Sequence, residues 1–232
     1  MRIRAGTSGY SYDEWRGSFY PEDLGSKEML RFYSAQLPTV EINNTFYRMP
    51  KTDVVRGWRE QVPERFSFVL KASRRITHMQ RLRDPGDSVA FLFKVAAELG
   101  DALGPVLFQL PPVLKKDATL LREFLSTLPA GRRAALEFRH ASWFDDEILA
   151  TLGEHGAALV GGESDEYEGE LPLAATAPFG YLRLRAPDYD EAALQKWAER
   201  VKAQRWSEAW VFFKHELKGP ELAKRFNEIC TP

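Results

Sequence analysis

The chain alternates short apolar or alternating segments with segments of helical spacing, and this regularity limits the folds available to it. Eight segments have the pattern of a strand: Ile3–Gly6, Thr39–Asn43, Phe66–Lys71, Pro105–Leu110, Ala134–Arg139, Ala157–Gly161, Tyr181–Arg185 and Ala209–Lys214. Strands that alternate with helices indicate βαβ units and a parallel sheet. Eight such units are the number that closes a (β/α)8 barrel. We therefore predict an α/β fold, a TIM-barrel-like (β/α)8 barrel, with an open doubly wound sheet as the alternative.

The sixth unit departs from this regularity. Between Gly161 and Phe179 the chain has an acidic loop, followed by a segment that contains Pro172 and Pro178. Proline removes a helical hydrogen-bond donor and clashes with the preceding turn. We predict an irregular sixth unit that lacks a full crossover helix. No linker or shift in composition divides the chain, so residues 1–232 are predicted to form one domain.

Several helix starts can be assigned from side chains that accept hydrogen bonds from a helical first turn. Asp117 and Asp190 each precede an apolar segment of helical spacing. Ser142 precedes another, which extends to Leu152. Because Asp and Ser are favoured N-caps, we predict that all three open helices.

Composition and charge exclude several classes of partner and location. The 232 residues have a formal net charge of −1, so no global field attracts nucleic acid or an anionic membrane. The only cysteine, Cys230, excludes an intramolecular disulfide bond and suits a reducing compartment. The N-terminal residues lack the apolar core of a signal peptide, and no apolar run has the length of a membrane span. We predict a cytoplasmic protein with no membrane partner.

Polar residues recur on one side of the predicted strands. In the second strand Val40 and Ile42 are apolar, whereas Glu41 and Asn43 are polar. In a barrel one side of each strand meets the helices and the other side fills the lumen. The same alternation predicts a set of inward-facing polar side chains near the C-terminal strand ends: Glu41, Asn43, Lys71, Gln109, Glu137, Arg139, Arg183, Arg185 and Lys214.

The polar side chains at the barrel mouth have two interpretations. Barrel enzymes carry their active sites at the C-terminal strand ends, which favours a ligand site. The alternative is a structural network in which Glu41 and Glu137 pair with Arg139, Arg183 and Lys214, because buried charges need partners. A purely structural lumen would be filled by Val, Ile and Leu, so we favour the ligand site.

A basic segment follows the third strand at the same end of the barrel. Residues 71–83 contain six basic or potentially basic side chains and no acidic residue before Asp84. A phosphate or carboxylate is the natural guest for a set of cations composed of Lys71, Arg74, Arg75, Arg183 and Lys214. Arg81 and Arg83 are expected to be solvated. The aromatic segment from Tyr10 to Tyr20 is expected either to stack on a ligand or to pack as a lid.

Three functions fit these residues. The first is the binding of a small anionic ligand, with isomerase- or lyase-like chemistry in which Glu41 and Glu137 act as base and acid and Lys71 assists. The second is nucleic-acid binding or processing by the basic segment. The third is a metal-dependent isomerase or hydrolase, with a divalent metal at Glu41, Glu137 and His140. No other cofactor is predicted, and the sequence does not define an oligomeric state. The ligand-contacting side chains are predicted to be Asn43, Gln109, Arg139, Arg183, Lys214, Arg74, Tyr10 and Trp143.

Motifs along the whole chain resemble those of the YecE-like family, domain of unknown function 72. They are GTSGYSY at 6–12, WRGSFYP at 15–21, EINNTFY at 41–47, FVLKAS at 68–73, GPVLFQLPP at 104–112, EFRH at 137–140, SW at 142–143 and YLRL at 181–184. The resemblance implies a TIM-barrel-like fold, in agreement with the strand count. It implies no established activity, and the family's grouping with sugar isomerases is an analogy of fold.

The chain departs from the family pattern at two places, both at the predicted mouth. Many relatives have His-Gly where this chain has Arg185 and Ala186. After the last strand many have two amides and an acid, where this chain has Lys214, His215 and Glu216. Ligand contacts are therefore expected to vary within the family.

Overall fold

The computed structural model describes residues 1–164, 170–214 and 217–231. Helices and strands alternate along the chain, with a π-helical turn at Arg75–Met79 and 3-10 turns at Asp13–Trp15, Ala97–Ala102 and Ala141–Trp143. The elements are β1 Arg2–Ser8, α1 Met29–Gln36, β2 Thr39–Ile42, α2 Asn44–Tyr47, α3 Thr52–Glu60, β3 Ser67–Lys71, α4 Gly86–Ala96, β4 Leu103–Gln109, α5 Ala118–Ser126, β5 Ala134–Glu137, α6 Asp146–Glu154, β6 Ala158–Glu163, β7 Glu170–Leu171, β8 Phe179–Leu184, α7 Glu191–Lys202, β9 Glu208–Phe213 and α8 Gly219–Cys230.

The strands form a closed barrel. Their order is β5-β4-β3-β2-β1-β9-β8-β6, and pairing of β5 with β6 closes the ring. All pairings within this ring are parallel. Each of the eight predicted segments overlaps one of the eight barrel strands. The predicted TIM-barrel-like fold is confirmed, and the open doubly wound alternative is wrong.

The irregular sixth unit is also confirmed within the described residues. Between β6 and β8 they contain β7, which pairs antiparallel with β6, and no helix. The backbone approaches closely where β6 ends: Gly162 has a φ of +106°, and a Cβ there would lie 2.3 Å from the carbonyl oxygen of Arg183. A side chain at this position would therefore force β6 and β8 apart.

Two of the three predicted helix caps are confirmed. The carboxylates of Asp117 and Asp190 accept hydrogen bonds from backbone N–H groups of the helices that follow them. The prediction for Ser142 is wrong, because this residue lies in a 3-10 turn. The cap of α6 is Asp145, whose Oδ1 lies 3.0 Å from the backbone nitrogen of Ile148. A carboxylate next to the first helical turn replaces the more distant hydroxyl.

The two sides of the strands pack against different partners, as the alternation predicted. Outward-facing residues such as Val40, Phe68 and Leu182 belong to the apolar layers that also hold the helices. The lumen contains a separate apolar cluster that includes Val69, Leu107, Ala135, Val160, Phe179, Tyr181, Trp210 and Phe212. Apolar side chains therefore fill the lower and middle barrel, and the polar inward-facing residues lie above them. None of the described helices has the length and apolar character needed to cross a membrane.

Candidate functional site

Arg183 stands at the centre of the barrel mouth. It is 3% exposed and comes from β8. Its Nη2 lies 2.8 Å from Oε1 of Glu41 on β2, and its Nη1 lies 2.8 Å from Oε2 of Glu137 on β5. One guanidinium thus joins three separate parts of the barrel wall, and both carboxylates are fully enclosed.

Glu41 receives hydrogen bonds from four side chains. Its Oε1 accepts from Ser8 Oγ at 2.8 Å, from Asn43 Nδ2 at 3.1 Å and from Arg183, and its Oε2 accepts from Tyr181 OH at 2.5 Å. Burial raises the pKa of Glu41, but Arg183 and the two hydroxyl donors outweigh it and hold the pKa below its ordinary value. This carboxylate is therefore ionised in the folded protein.

Glu137 has a similar environment with more cations. Its Oε2 accepts from Gln109 Nε2 at 2.9 Å and from Arg183, and its Oε1 accepts from Arg139 Nε at 3.3 Å and from Arg185 Nη2 at 3.2 Å. Burial raises the pKa of Glu137, but Arg183, Arg185 and Arg139 together bring it down to about 2. Three guanidinium groups thus form salt bridges with this one carboxylate.

This geometry does not favour the acid and base roles expected for Glu41 and Glu137. A general base works best with a pKa near the operating pH. Both carboxylates are instead ionised and saturated with donors, so either would accept a proton only after losing a partner. Their role in the geometry is to anchor arginines at the bottom of the mouth.

Lys71 differs from these saturated charges. It is the last residue of β3, and its Nζ donates to Gln109 Oε1 at 2.8 Å and lies 4.4 Å from the centroid of the Phe46 ring. Within the described residues it forms no salt bridge. Burial and the charge of Arg183 lower its pKa to about 8, against the opposing effect of the two carboxylates. Its amine is therefore partly neutral near physiological pH.

The mouth contains a pocket of about 230 Å³. Its lining residues come from seven strands or the loops that follow them: Ser8, Tyr12, Asn43, Tyr47, Lys71, Gln109, Arg139, Arg183, Arg185 and Lys214. Five of these described residues are cations and none is acidic. The carboxylates lie beneath the surface of the pocket, and the cations face it.

Five of the eight predicted ligand-contacting residues line the pocket, and three do not. Arg74 is exposed on the basic segment and does not line the pocket. Trp143 is completely buried and stacks on Phe138 at 4.6 Å in the outer apolar layer. Tyr10 packs against Tyr33 of α1 at 6.2 Å. We remove these three side chains from the proposed ligand contacts.

Three residues of the site escaped the sequence-based prediction, and a fourth, Tyr12, was expected only as part of the aromatic segment from Tyr10 to Tyr20. Tyr12 and Tyr47 are exposed and line the pocket, Ser8 lines it and donates to Glu41, and Tyr181 donates to Glu41 from below. Strand alternation would have found Tyr181, which lies two residues before Arg183 on the same face. It would not have found Tyr12 or Tyr47, because both lie beyond strand ends.

The structure gives no support to the metal hypothesis. Within the described residues no three His, Cys, Asp or Glu side chains are grouped to hold a metal ion. Arg183 lies between Glu41 and Glu137, and Nδ1 of His140 is instead 2.9 Å from Ser142 Oγ. His215 and Glu216, where the chain departs from the family pattern, lie outside the described residues.

The acidic loop of the sixth unit is only partly described. Its residues Asp165, Glu166 and Glu168 lie outside the described residues. Glu163, at the end of β6, accepts hydrogen bonds from the backbone nitrogens of Arg185 and Ala186 at 2.5 and 2.6 Å. Glu163 thus fixes the chain after β8.

These features define the class: a TIM-barrel-like protein with a cation-lined pocket at its C-terminal mouth. The chain belongs to the family described as protein of unknown function DUF72, whose model matches residues 4–231. The resemblance to the YecE-like family is thereby confirmed.

Relatives and solved structures agree with this assignment. The UPF0759 protein YunF of Bacillus subtilis is 28% identical over 91% of this chain and 79% of its own length. The UPF0759 protein YecE of Escherichia coli K12 is 33% identical over 54% of this chain and 48% of its own length. A DUF72 family protein from Thermotoga maritima has a TM-score of 0.86 at 25% identity, with 99% of both chains covered.

A more distant likeness concerns the fold alone. The D-psicose 3-epimerase of Clostridium cellulolyticum H10, solved with D-tagatose, has a TM-score of 0.56 at 11% identity and covers 98% of this chain and 95% of that one. At this identity the likeness carries no information on activity.

Proposed function

We propose that this protein binds a small anionic ligand, bearing a phosphate or a carboxylate, in the pocket at the barrel mouth. The observation that carries the proposal is the set of five cations, with no acidic residue, among the described residues that line the pocket. The two buried carboxylates hold the arginines in place before any ligand arrives. Such preorganised cations bind an anion without a further cost of ordering their side chains.

The size of the pocket limits the ligand. Sites for drug-sized molecules have volumes of about 300–1,000 Å³, and this pocket has about 230 Å³. A short phosphorylated or carboxylated metabolite suits it better than a nucleotide. Arg139 and Arg185 line the pocket, and a planar guanidinium group is the side chain that best matches phosphate and carboxylate oxygens.

The proposal includes an isomerase- or lyase-like reaction with a revised set of roles. Lys71, rather than Glu41 or Glu137, is the group that would exchange a proton with the ligand, because its pKa lies near neutrality. Arg183 would stabilise negative charge that develops on a ligand oxygen. The carboxylates would keep the arginine in place.

Thermal unfolding with added anions tests the binding proposal. We expect inorganic phosphate, pyruvate or a triose phosphate to raise the melting temperature of the wild type above that in sodium chloride of equal ionic strength. The increase should be lost in Arg139→Gln and kept in Arg133→Gln, which removes a cation from the opposite end of the barrel. Equal melting temperatures with every anion, or equal shifts in both variants, would contradict the proposal.

Nucleic-acid binding by the basic segment is a second candidate function. Arg74, Arg75 and Arg81 are exposed there, and Met79 is 71% exposed. The 70% exposed ring of Tyr47 is close by, since the neighbouring Phe46 contacts His78 at 4.9 Å. Arginines for phosphates beside a ring for stacking are what single-stranded nucleic acid requires.

Binding to a fluorescent single-stranded oligonucleotide tests this candidate. We expect affinity that falls steeply with salt and that weakens in the double variant Arg75→Gln/Arg81→Gln. The matched control is Arg56→Gln, an exposed arginine on α3. Binding that is absent at low salt, or equal in all three proteins, would rule the candidate out.

A further inference from the structure

We propose that Lys71 Nζ forms a covalent imine with a carbonyl carbon of the bound anion. The ligand class is then an aldehyde or ketone that also bears a phosphate or carboxylate group. This inference rests on the proposed anion site and adds the reacting atom to it.

The side chains around Lys71 hold its amine in the pocket and, within the described residues, do not form a salt bridge with it. Its Nζ donates to the neutral amide of Gln109, at 2.8 Å, and lies over the ring of Phe46, at 4.4 Å from the centroid. The two carboxylates beneath it are occupied by guanidinium groups, which bind them in preference. An amine that is positioned, and that no acid among the described residues pairs with, is available to a ligand.

The charges around Lys71 also favour its neutral, nucleophilic form. Burial and the charge of Arg183 are the largest causes of its lowered pKa of about 8. At neutral pH this pKa increases the unprotonated fraction about 300-fold over an ordinary lysine. Desolvated lysines near other cations are the usual imine-forming nucleophiles in enzymes.

The same pocket holds the groups that would orient the rest of the ligand. Arg139, Arg183 and Arg185 line it together with Lys71. An anionic group that is bound by these arginines places a carbonyl a few bonds away within reach of Nζ. The short ligand that the volume allows fits this spacing.

The step balances without an oxidant or reductant. The neutral amine attacks the carbonyl carbon, so a C–N bond forms while the carbonyl π bond breaks. The proton that leaves nitrogen goes to the carbonyl oxygen, and the resulting carbinolamine loses water to give the imine. In the test, borohydride donates a hydride to the imine carbon and makes the link permanent.

Reductive trapping tests the inference on the full chain. The probes are glyoxylate, pyruvate and glyceraldehyde 3-phosphate, each added with sodium borohydride, followed by peptide mass mapping. We expect one adduct, on the peptide that contains Lys71, formed at least about tenfold faster than on any other lysine, with a rate that rises with pH through about 8.

Two variants and one uncharged probe serve as controls. Lys71→Arg keeps the charge and should abolish the selective adduct. Lys224→Arg should leave it unchanged, because Lys224 also lies over a ring, that of Phe19 at 5.0 Å, but outside the pocket. Uncharged glyceraldehyde should react with Lys71 more slowly than its phosphate does.

The outcomes separate this inference from the binding proposal. If the anions stabilise the wild type but Lys71 carries no selective adduct, the imine is wrong and the anion site stands. If no anion stabilises the protein, the anion site itself fails. Labelling spread evenly over surface lysines, or equal labelling with uncharged glyceraldehyde, would overturn the inference as well.

Discussion

The two ends of the barrel use the same pair of residue types for different purposes. At the N-terminal end Glu208 contacts Arg4 at 2.7 Å and Arg133 at 3.1 Å. Both guanidinium groups lie about 5 Å from the ring of Trp210, at 5.0 and 5.1 Å. At the C-terminal end the buried carboxylates Glu41 and Glu137 share Arg183.

Burial and the balance of charge distinguish the two ends. The side chains of the N-terminal cluster are 12–43% exposed, and Trp210 fills the lumen beside them. The side chains of Glu41, Glu137 and Arg183 are at most 4% exposed, and an open pocket lined by further cations lies above them. The N-terminal cluster closes the barrel, whereas the C-terminal network lies beneath the open pocket that we propose as a ligand site. An arginine–carboxylate pair therefore indicates a site only together with surplus charge and open space.

Removing the central arginine gives the largest expected difference between the ends. Arg183→Met leaves two buried carboxylates without their shared cation, and we expect the free energy of unfolding to fall by about 3–5 kcal/mol. Arg133→Met removes a partly exposed partner of Glu208 and should cost less than about 1 kcal/mol. Urea unfolding of both variants measures the difference. Equal falls in the free energy of unfolding would show that the two clusters contribute equally to stability.

The second-largest expected effect is the loss of stability when acid protonates Glu137 at the mouth. The pKa of Glu137 is about 2 in the folded protein, against an ordinary 4.5. As the pH falls, this carboxylate therefore takes up a proton at a higher pH in the unfolded chain than in the folded protein. Its contribution to stability, about 3 kcal/mol, is thus complete above pH 5 and is lost as the pH falls from 5 towards 2.

Carbon-13 NMR of the glutamate side chains, recorded during an acid titration, measures this directly. The Glu137 carboxyl signal should stay at its ionised position to below pH 3 while the protein remains folded. A Glu137 signal that titrates near pH 4.5 would contradict the network described for the mouth.

Removing one hydroxyl group should have the smallest effect on stability, and the effect should still differ between the two ends of the barrel. Tyr181→Phe removes the donor to Glu41 Oε2, a hydrogen bond to a charged group, and should cost about 2 kcal/mol. Ser67→Ala removes the hydroxyl that accepts from Trp210 Nε1 at 3.3 Å and should cost about 1 kcal/mol or less. Thermal unfolding measures the stability of the two variants. A larger loss of stability in Ser67→Ala than in Tyr181→Phe would contradict the proposed difference between the two ends.

Strand alternation predicted the barrel and the centre of the site because both depend on a period of two. Val40 and Glu41 face opposite sides of β2 whatever the neighbouring loops do. The same rule places Arg183 and Glu137 in one lumen once the barrel closes. Pairing of Glu137 with Arg183 belonged to the alternative interpretation, a structural network, because buried charges need partners. The structure contains this pair beneath the pocket.

The rim of the pocket depends on loop geometry that has no such period. Tyr10 was expected in the site, but the turn at Gly9, with a φ of +94°, directs Tyr10 towards α1 and leaves Tyr12 at the pocket. Trp143 lies in a 3-10 turn, and its indole N–H donates to the backbone carbonyl of Leu114, a contact that the sequence does not indicate. The lowered pKa of Lys71 also depends on burial and on distances in space.

The bridging position of Arg183 has a consequence for the order in which the protein can be made. Its partners Glu41 and Glu137 precede it by 142 and 46 residues. During synthesis both acids emerge from the ribosome well before their common counterion. A nascent chain that ends before β8 lacks the guanidinium group that the two acids share, so closure of the mouth must await the synthesis of β8.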